Sequence, residues 1–102
     1  MAEFVAVGRA DDLREGDMRA LDVKDTKIAV ANVGGTFYAF GDTCTHMECS
    51  LAEGDLEETT VTCPCHGSEF DVTSGEVLAR PAREPVGSYE VRVVGENLEI
   101  KI

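Results

Sequence analysis

Apolar and polar residues alternate along several short stretches of this chain, which predicts strands. The clearest runs cover residues 18–23 and 88–94. A period of two places successive side chains on opposite faces of a strand. No segment repeats its apolar residues at the three- and four-residue spacing of an amphipathic helix over a useful length. The pattern therefore favours an all-β protein.

Turn residues separate these runs. Gly34-Gly35 predicts a tight hairpin between residues 26–33 and 36–40, because glycine readily adopts positive φ angles. Lys24-Asp25 predicts another tight turn. Further strands are expected at residues 4–7, 59–62, 69–72, 76–79 and 98–102, with a turn or single helical turn over 10–17 and an acidic connector over 53–58. Short strands at such spacing predict an antiparallel β-sandwich or barrel, a single domain over residues 1–102.

Charge narrows the possible partners. The 102 residues include 20 acidic and 9 basic side chains, a formal net charge of −11. Such a chain repels nucleic acid and anionic membranes, because binding to phosphates requires Lys and Arg. It favours a basic protein partner and a fast, salt-sensitive encounter. The same charge also keeps a small protein in solution, and composition alone does not choose between the two roles.

Two short segments hold both histidines and all four cysteines. Their pattern is C-x-H, sixteen residues, then C-x-x-H, formed by Cys44, His46, Cys63 and His66. Thiolates and imidazoles are ligands for zinc or for an iron–sulfur centre. Structural zinc sites usually use C-x-x-C and H-x-x-x-H pairs, so an opening C-x-H pair is unusual for zinc.

These segments resemble a known family. Residues 44–49 and 63–68 resemble the two cluster loops of Rieske proteins, and residues 37–40 are similar to the strand before the first loop. Residues 80–86 resemble the proline-containing third loop that covers the cluster. The resemblance implies a Rieske fold with a small cluster-binding subdomain, approximately residues 42–86, at one tip.

The resemblance also implies the cofactor and its ligands. A Rieske 2Fe–2S cluster has two thiolates on one iron and two imidazoles on the other. Cys44 and Cys63 would hold the first iron, and His46 and His66 the second. The lower ligand charge raises the reduction potential above that of four-thiolate ferredoxins.

Two cysteines are left over. Cys49 and Cys65 match the disulfide that joins the cluster loops in Rieske subunits of cytochrome bc complexes, a pair that many ferredoxins of oxygenases lack. A disulfide would stabilise the tip. Cytosolic thiols are usually reduced, so two adjacent buried thiols are the alternative.

Three further residues matter if the resemblance holds. Ser68 matches a serine that bonds a bridging sulfide in high-potential Rieske proteins. Phe70 stands where those proteins have a tyrosine, so one hydrogen bond that tunes the potential is missing. Pro81 stiffens the covering loop, because proline restricts φ.

The resemblance implies a soluble one-electron carrier, not itself an enzyme, between a flavoprotein reductase and a terminal oxygenase. The chain starts without a signal peptide and has no apolar run of membrane-spanning length, so we expect no membrane anchor and a cytoplasmic location. An accessory subunit of an NAD(P)H nitrite reductase and a structural zinc module for protein binding are the alternatives.

Overall fold

The computed structural model describes residues 3–44, 49–65, 67–80, 82 and 84–102. These residues form strands and two short 3-10 turns, Ala10–Asp12 and Leu51–Glu53. No helix within them is long and apolar enough to cross a membrane. The strands are β1 (Phe4–Arg9), β2 (Met18–Val23), β3 (Thr26–Val33), β4 (Thr36–Gly41), β5 (Asp55–Glu57), β6 (Thr60–Thr62), β7 (Glu69–Asp71), β8 (Val77–Ala79), β9 (Ser88–Tyr89), β10 (Val91–Val94) and β11 (Asn97–Lys101).

The strands pair in three antiparallel sheets, which confirms the all-β prediction. The first sheet has the order β1-β11-β10 and brings the two ends of the chain together. The second has the order β2-β3-β4-β9. The third, β5-β6-β7-β8, is a meander of four strands within residues 55–79.

Both predicted tight turns are present. Val33 pairs with Thr36 across Gly34 and Gly35, whose φ angles are +59° and +93°. The turn between β2 and β3 places Lys24 and Asp25 in the left-handed region, with φ of 49° and 66°. Two-residue hairpins match the twist of the flanking strands when both central residues adopt positive φ.

The acidic connector predicted over residues 53–58 contains a strand that the sequence did not predict. The segment contains part of a 3-10 turn and strand β5, in which Leu56 pairs with Val61. Leu56 packs against the core, while Asp55 and Glu57 on either side are exposed. One apolar residue between two acids is too short a pattern to identify a strand from the sequence. The same three residues do form a strand when a partner strand lies beside them.

The predicted strand over residues 88–94 is two strands in different sheets. Ser88 and Tyr89 pair with β4 of the second sheet, whereas Val91–Val94 pair with β11 of the first. The Glu90 carbonyl accepts a 2.9 Å hydrogen bond from the Lys101 N–H at the junction. Alternation continues through such a corner, so the sequence pattern does not reveal the change of partner.

Strand β3 lies between two hydrophobic clusters. Ile28 and Val30 face the cluster formed with the first sheet, and Ala29 and Ala31 face the cluster formed with the third sheet. All four side chains are buried because both faces of β3 are covered. The second sheet also contacts the loops that precede and follow the third sheet, through the hydrogen bonds from Asp42 to Lys27 and from Gly41 to Gly87.

Candidate metal centre

The first predicted ligand loop follows β4 and has a closed base. Thr43 and Ser50 form an antiparallel bridge, and the Cys44 N–H donates a 2.9 Å hydrogen bond to the Cys49 carbonyl. Cys44 is buried at 3% exposure. His46 lies outside the described residues. The closed base therefore fixes the position of the buried Cys44 residue.

Asp42, which precedes this loop, anchors the residues that follow it. Its carboxylate accepts hydrogen bonds from the Ser50 hydroxyl (2.7 Å) and the Ala52 N–H (2.9 Å). Its carbonyl accepts a 2.7 Å bond from the Leu51 N–H, and its own N–H donates to the Lys27 carbonyl. Asp42 is buried at 4% exposure, so these bonds replace the hydration of a charged group. Sequence reasoning missed this residue, because its partners are found only when the loop returns to it.

The second predicted ligand loop connects β6 to β7. The Cys63 N–H donates to the Ser68 carbonyl (2.7 Å), and the Gly67 N–H donates to the Cys63 carbonyl (3.1 Å). Gly67 has a φ of +77°, which a glycine adopts at little cost. Cys63 is buried at 2% exposure. His66 lies outside the described residues.

A disulfide between Cys49 and Cys65 joins the two loops, the pairing that the resemblance implies. Their Cα atoms are 6.5 Å apart, within the range that a disulfide spans. Cys44 and Cys63 do not belong to the disulfide. The structure thus separates the four cysteines into a bonded pair that ties the loops, with Cys65 exposed and Cys49 partly buried, and a fully buried pair suited to metal ligation.

The third loop packs on the second through Ser68. The Ala82 N–H donates a 3.0 Å hydrogen bond to the Ser68 hydroxyl, and both residues are almost fully buried. An oxygen that accepts this bond still has its own hydrogen to donate. Pro81 lies outside the described residues, so its predicted stiffening role stays a prediction.

Two backbone contacts hold the far end of the third loop. The Val86 N–H donates to the Gly75 carbonyl (2.9 Å), and the Gly41 N–H donates to the Gly87 carbonyl (2.8 Å). Gly75 has a φ of +84°, and a Cβ at this position would collide with the Val86 carbonyl oxygen. The close approach between the turn after β7 and the third loop therefore requires glycine.

Phe70 is fully buried in the cluster shared by the second and third sheets, where it pairs with Val61. It brings no hydroxyl to this part of the core. The missing hydrogen bond to a cysteine sulfur, which the resemblance implies for this position, stays a prediction.

The residue types fit an iron–sulfur centre. Two thiol side chains, Cys44 and Cys63, lie buried on two loops that are closed at their bases and tied together. Thiolates are the ligands that iron–sulfur clusters use. Among the described residues no group of three or more His, Cys, Asp and Glu side chains could hold a metal ion. The two further predicted ligands, His46 and His66, lie outside that part of the chain.

Comparison with known proteins decides the family. A family model described as "Rieske [2Fe-2S] domain" matches residues 3–90. The chain belongs to the Rieske [2Fe-2S] domain family. Its cofactor is accordingly one Rieske-type 2Fe–2S cluster, and the predicted family and fold are confirmed.

Relatives of this Rieske chain are ferredoxins of dioxygenases. It is 40% identical over 92 residues to the 3-phenylpropionate/cinnamic acid dioxygenase ferredoxin subunit of Escherichia coli strain K12, covering 89% of this chain and 86% of the relative. The ferredoxin of carbazole 1,9a-dioxygenase from Nocardioides aromaticivorans IC177 superimposes with a TM-score of 0.92 at 32% identity, covering 95% of each chain. A chain from a complex of reduced oxygenase and oxidized ferredoxin in carbazole 1,9a-dioxygenase gives a TM-score of 0.90 at 37% identity, covering 95% of this chain and 91% of that one.

Proposed function

We propose that this Rieske protein is the ferredoxin component of a multicomponent dioxygenase. It takes single electrons from a flavoprotein reductase and passes them to a terminal oxygenase, and it does not itself transform an organic substrate. The observation that carries the proposal is the 40% identity to a dioxygenase ferredoxin subunit over most of both chains. The fold match to a ferredoxin of another dioxygenase supports the same role.

The proposed cluster ligands are Cys44 and Cys63 on one iron and His46 and His66 on the other. Burial of both thiols, one on each loop, supports the cysteine half of this assignment. The cluster supplies reversible one-electron chemistry. The chain contributes the closed loops, the disulfide and the Ser68–Ala82 contact, which exclude water and hold the ligands in place.

We further propose that residues 42–86 act as the cluster-binding subdomain of one domain spanning residues 1–102. The three loops and the third sheet fall within this range. The first and second sheets, which are built from the residues before and after this range, support it. We propose the cytoplasm as the location, where NAD(P)H-dependent reductases operate.

Reconstitution tests the proposed function. The cluster-loaded chain is mixed with the reductase and oxygenase components of the Escherichia coli 3-phenylpropionate/cinnamic acid dioxygenase, together with NADH and substrate. Product that forms only when the chain is present supports the proposal. A chain that the reductase reduces but that leaves the oxygenase oxidised would contradict it.

Voltammetry distinguishes the alternatives in the same preparation. A ferredoxin that serves an oxygenase should show a reversible one-electron wave at about −150 mV. A colourless preparation that binds zinc and gives no wave would favour a structural zinc module. Electron delivery to a nitrite reductase, with none to the oxygenase, would favour the accessory subunit of that enzyme.

A further inference from the structure

Charge is unevenly distributed along this chain. Residues 28–79 contain no Lys or Arg, but they contain nine acidic residues: Asp42, Glu48, Glu53, Asp55, Glu57, Glu58, Glu69, Asp71 and Glu76. In the part of the chain that the structure describes, every ion pair uses residues outside this segment. The first and last portions of the chain therefore balance much of their charge internally, and the third sheet does not.

The third sheet gathers several of these carboxylates on one face. Asp55 pairs across to Thr62, which pairs with Glu69, and Glu57 pairs across to Thr60, which pairs with Asp71. Leu56, Val61 and Phe70, which lie between these residues along their strands, pack into the core. Side chains alternate along a strand, so the carboxylates and threonines share the opposite, outer face. We call Asp55, Glu57, Glu69 and Asp71 the acidic face.

The acidic face is continuous with the second ligand loop. Thr62 and Glu69 directly flank that loop in sequence and pair across its base, next to Cys63 and Ser68. Asp55 lies in the same cross-strand row. A protein seated on this face would thus also contact the loop that carries Cys63.

An exposed leucine stands at the edge of this face. Glu69 pairs with Ala79 and Phe70 pairs with Val77, so Leu78 is the extra residue of a β-bulge. Val77 packs against the core, and Leu78, which follows it, is 50% exposed. Bulges redirect side chains, and an exposed large apolar residue beside a charged face is a feature of interaction sites.

We propose that the acidic face, with Leu78 as its apolar anchor, docks the electron acceptor of this ferredoxin through Lys and Arg side chains that surround a small apolar pocket. This inference rests on the proposed function. Charge complementarity selects a basic partner, because none of these four carboxylates belongs to an ion pair among the described residues. The acceptor is favoured over the donor because the chain carries one more negative charge after reduction and one fewer after it has delivered its electron. The attraction between the ferredoxin and a basic acceptor is therefore strongest while the ferredoxin still holds the electron.

Stopped-flow kinetics with cytochrome c, a basic one-electron acceptor, test the face directly. Dithionite-reduced, cluster-loaded chain gives one electron to each ferric haem. The triple variant Asp55→Asn, Glu57→Gln, Glu69→Gln should lower the second-order rate constant by roughly tenfold at low salt, and this loss should shrink as salt is added. Leu78→Ser should lower the rate constant by about threefold. Ferricyanide, a small anionic acceptor, should be reduced no more slowly by either variant.

Two controls match these changes. The triple variant Asp12→Asn, Glu15→Gln, Asp22→Asn alters net charge equally but away from the third sheet, and Val93→Ser removes a similarly exposed residue, 47%, from β10. Neither should change the rate by more than about twofold. An equal loss in the control triple would show that only net charge matters and would overturn the proposal, as would a rate for Leu78→Ser that equals the Val93→Ser rate.

The test separates this inference from the proposed function. If reduction of the Escherichia coli oxygenase proceeds normally with the acidic-face triple variant, the docking proposal is wrong and the proposed function stands. If wild type reduces cytochrome c through the acidic face but never reduces an oxygenase, the proposed function is wrong. If the KM of the flavoprotein reductase for the acidic-face triple variant rises by the same factor as the rate to the acceptor falls, the assignment of this face to the acceptor is wrong.

Discussion

The backbone N–H of Ala82 donates a 3.0 Å hydrogen bond to the hydroxyl of Ser68, and this bond connects the second and third loops of the Rieske site. Ser68 is fully buried and Ala82 is 2% exposed, so neither group can exchange its partner for water. An unsatisfied buried donor costs about 1–3 kcal/mol. One side chain therefore fixes the third loop to the second while keeping a hydrogen to donate.

Ser68→Ala should lower the free energy of unfolding by about 1–3 kcal/mol, because the Ala82 N–H loses its acceptor. It should also lower the reduction potential, because any bond from this hydroxyl to the cluster is lost. Urea denaturation and voltammetry measure the two effects. Ser74→Ala is the control, since the Ser74 hydroxyl accepts a 3.3 Å bond on an exposed turn. A Ser68→Ala potential equal to that of wild type would contradict the tuning role.

Asp42→Ala should cost about 2–3 kcal/mol of unfolding free energy, because the Ser50 hydroxyl and the Ala52 N–H lose a charged acceptor. The first loop should then open more often and lose its cluster sooner on incubation with a chelator. Absorbance decay of the holoprotein measures that rate. Asp22→Ala, an exposed position on β2, should decay as wild type does. Equal decay of the two variants would rule out Asp42 as the loop anchor.

The disulfide makes a prediction that mass spectrometry can check. After cluster removal and denaturation without reductant, alkylation should label two cysteines, Cys44 and Cys63, and after reduction it should label all four. Replacing Cys49 and Cys65 together by serine should cost roughly 3 kcal/mol in the chain-entropy account. The same variant should lose its cluster faster. Four labels without reductant would show that the bond is absent in solution.

Gly75→Ala should destabilise the protein more than Gly95→Ala. Both glycines have positive φ, +84° and +62°, and alanine in the left-handed region costs about 1–2 kcal/mol. Only at Gly75 would the new Cβ meet backbone, the carbonyl oxygen of Val86. Thermal unfolding of both variants measures the difference. Equal melting temperatures would mean that the turn and the third loop are not held together there.

Phe70→Tyr should raise the reduction potential if the new hydroxyl reaches a cysteine sulfur, as the resemblance implies. Phe40→Tyr is the matched control, because both phenylalanines are fully buried. Each variant loses some stability, since a hydroxyl must be accommodated in the core. Voltammetry of the two variants gives the answer. A potential that shifts equally in both would point to general disruption of the core.

The sequence by itself determined several of the strands, β2, β3 and β4 among them, and the kind of chemistry. Alternation and the pair Gly34-Gly35 act over a few residues, so the β2, β3 and β4 strands and their turns were predicted from local pattern. The ligand types were also readable, because Cys and His at short spacing have few other uses. The assignment of Cys44 and Cys63 as ligands came from the resemblance to a family.

Tertiary structure decided what depends on distant partners. Asp42 is an exposed-looking acid in the sequence, and only the return of the chain at Ser50 makes it a buried anchor. The corner at Glu90 is invisible to alternation, because a strand keeps its period when its neighbour changes. The bulge at Leu78 follows from register between two strands, which no single strand encodes. Local sequence specifies backbone preference and donor type, whereas burial and pairing are properties of segments brought together by the whole fold.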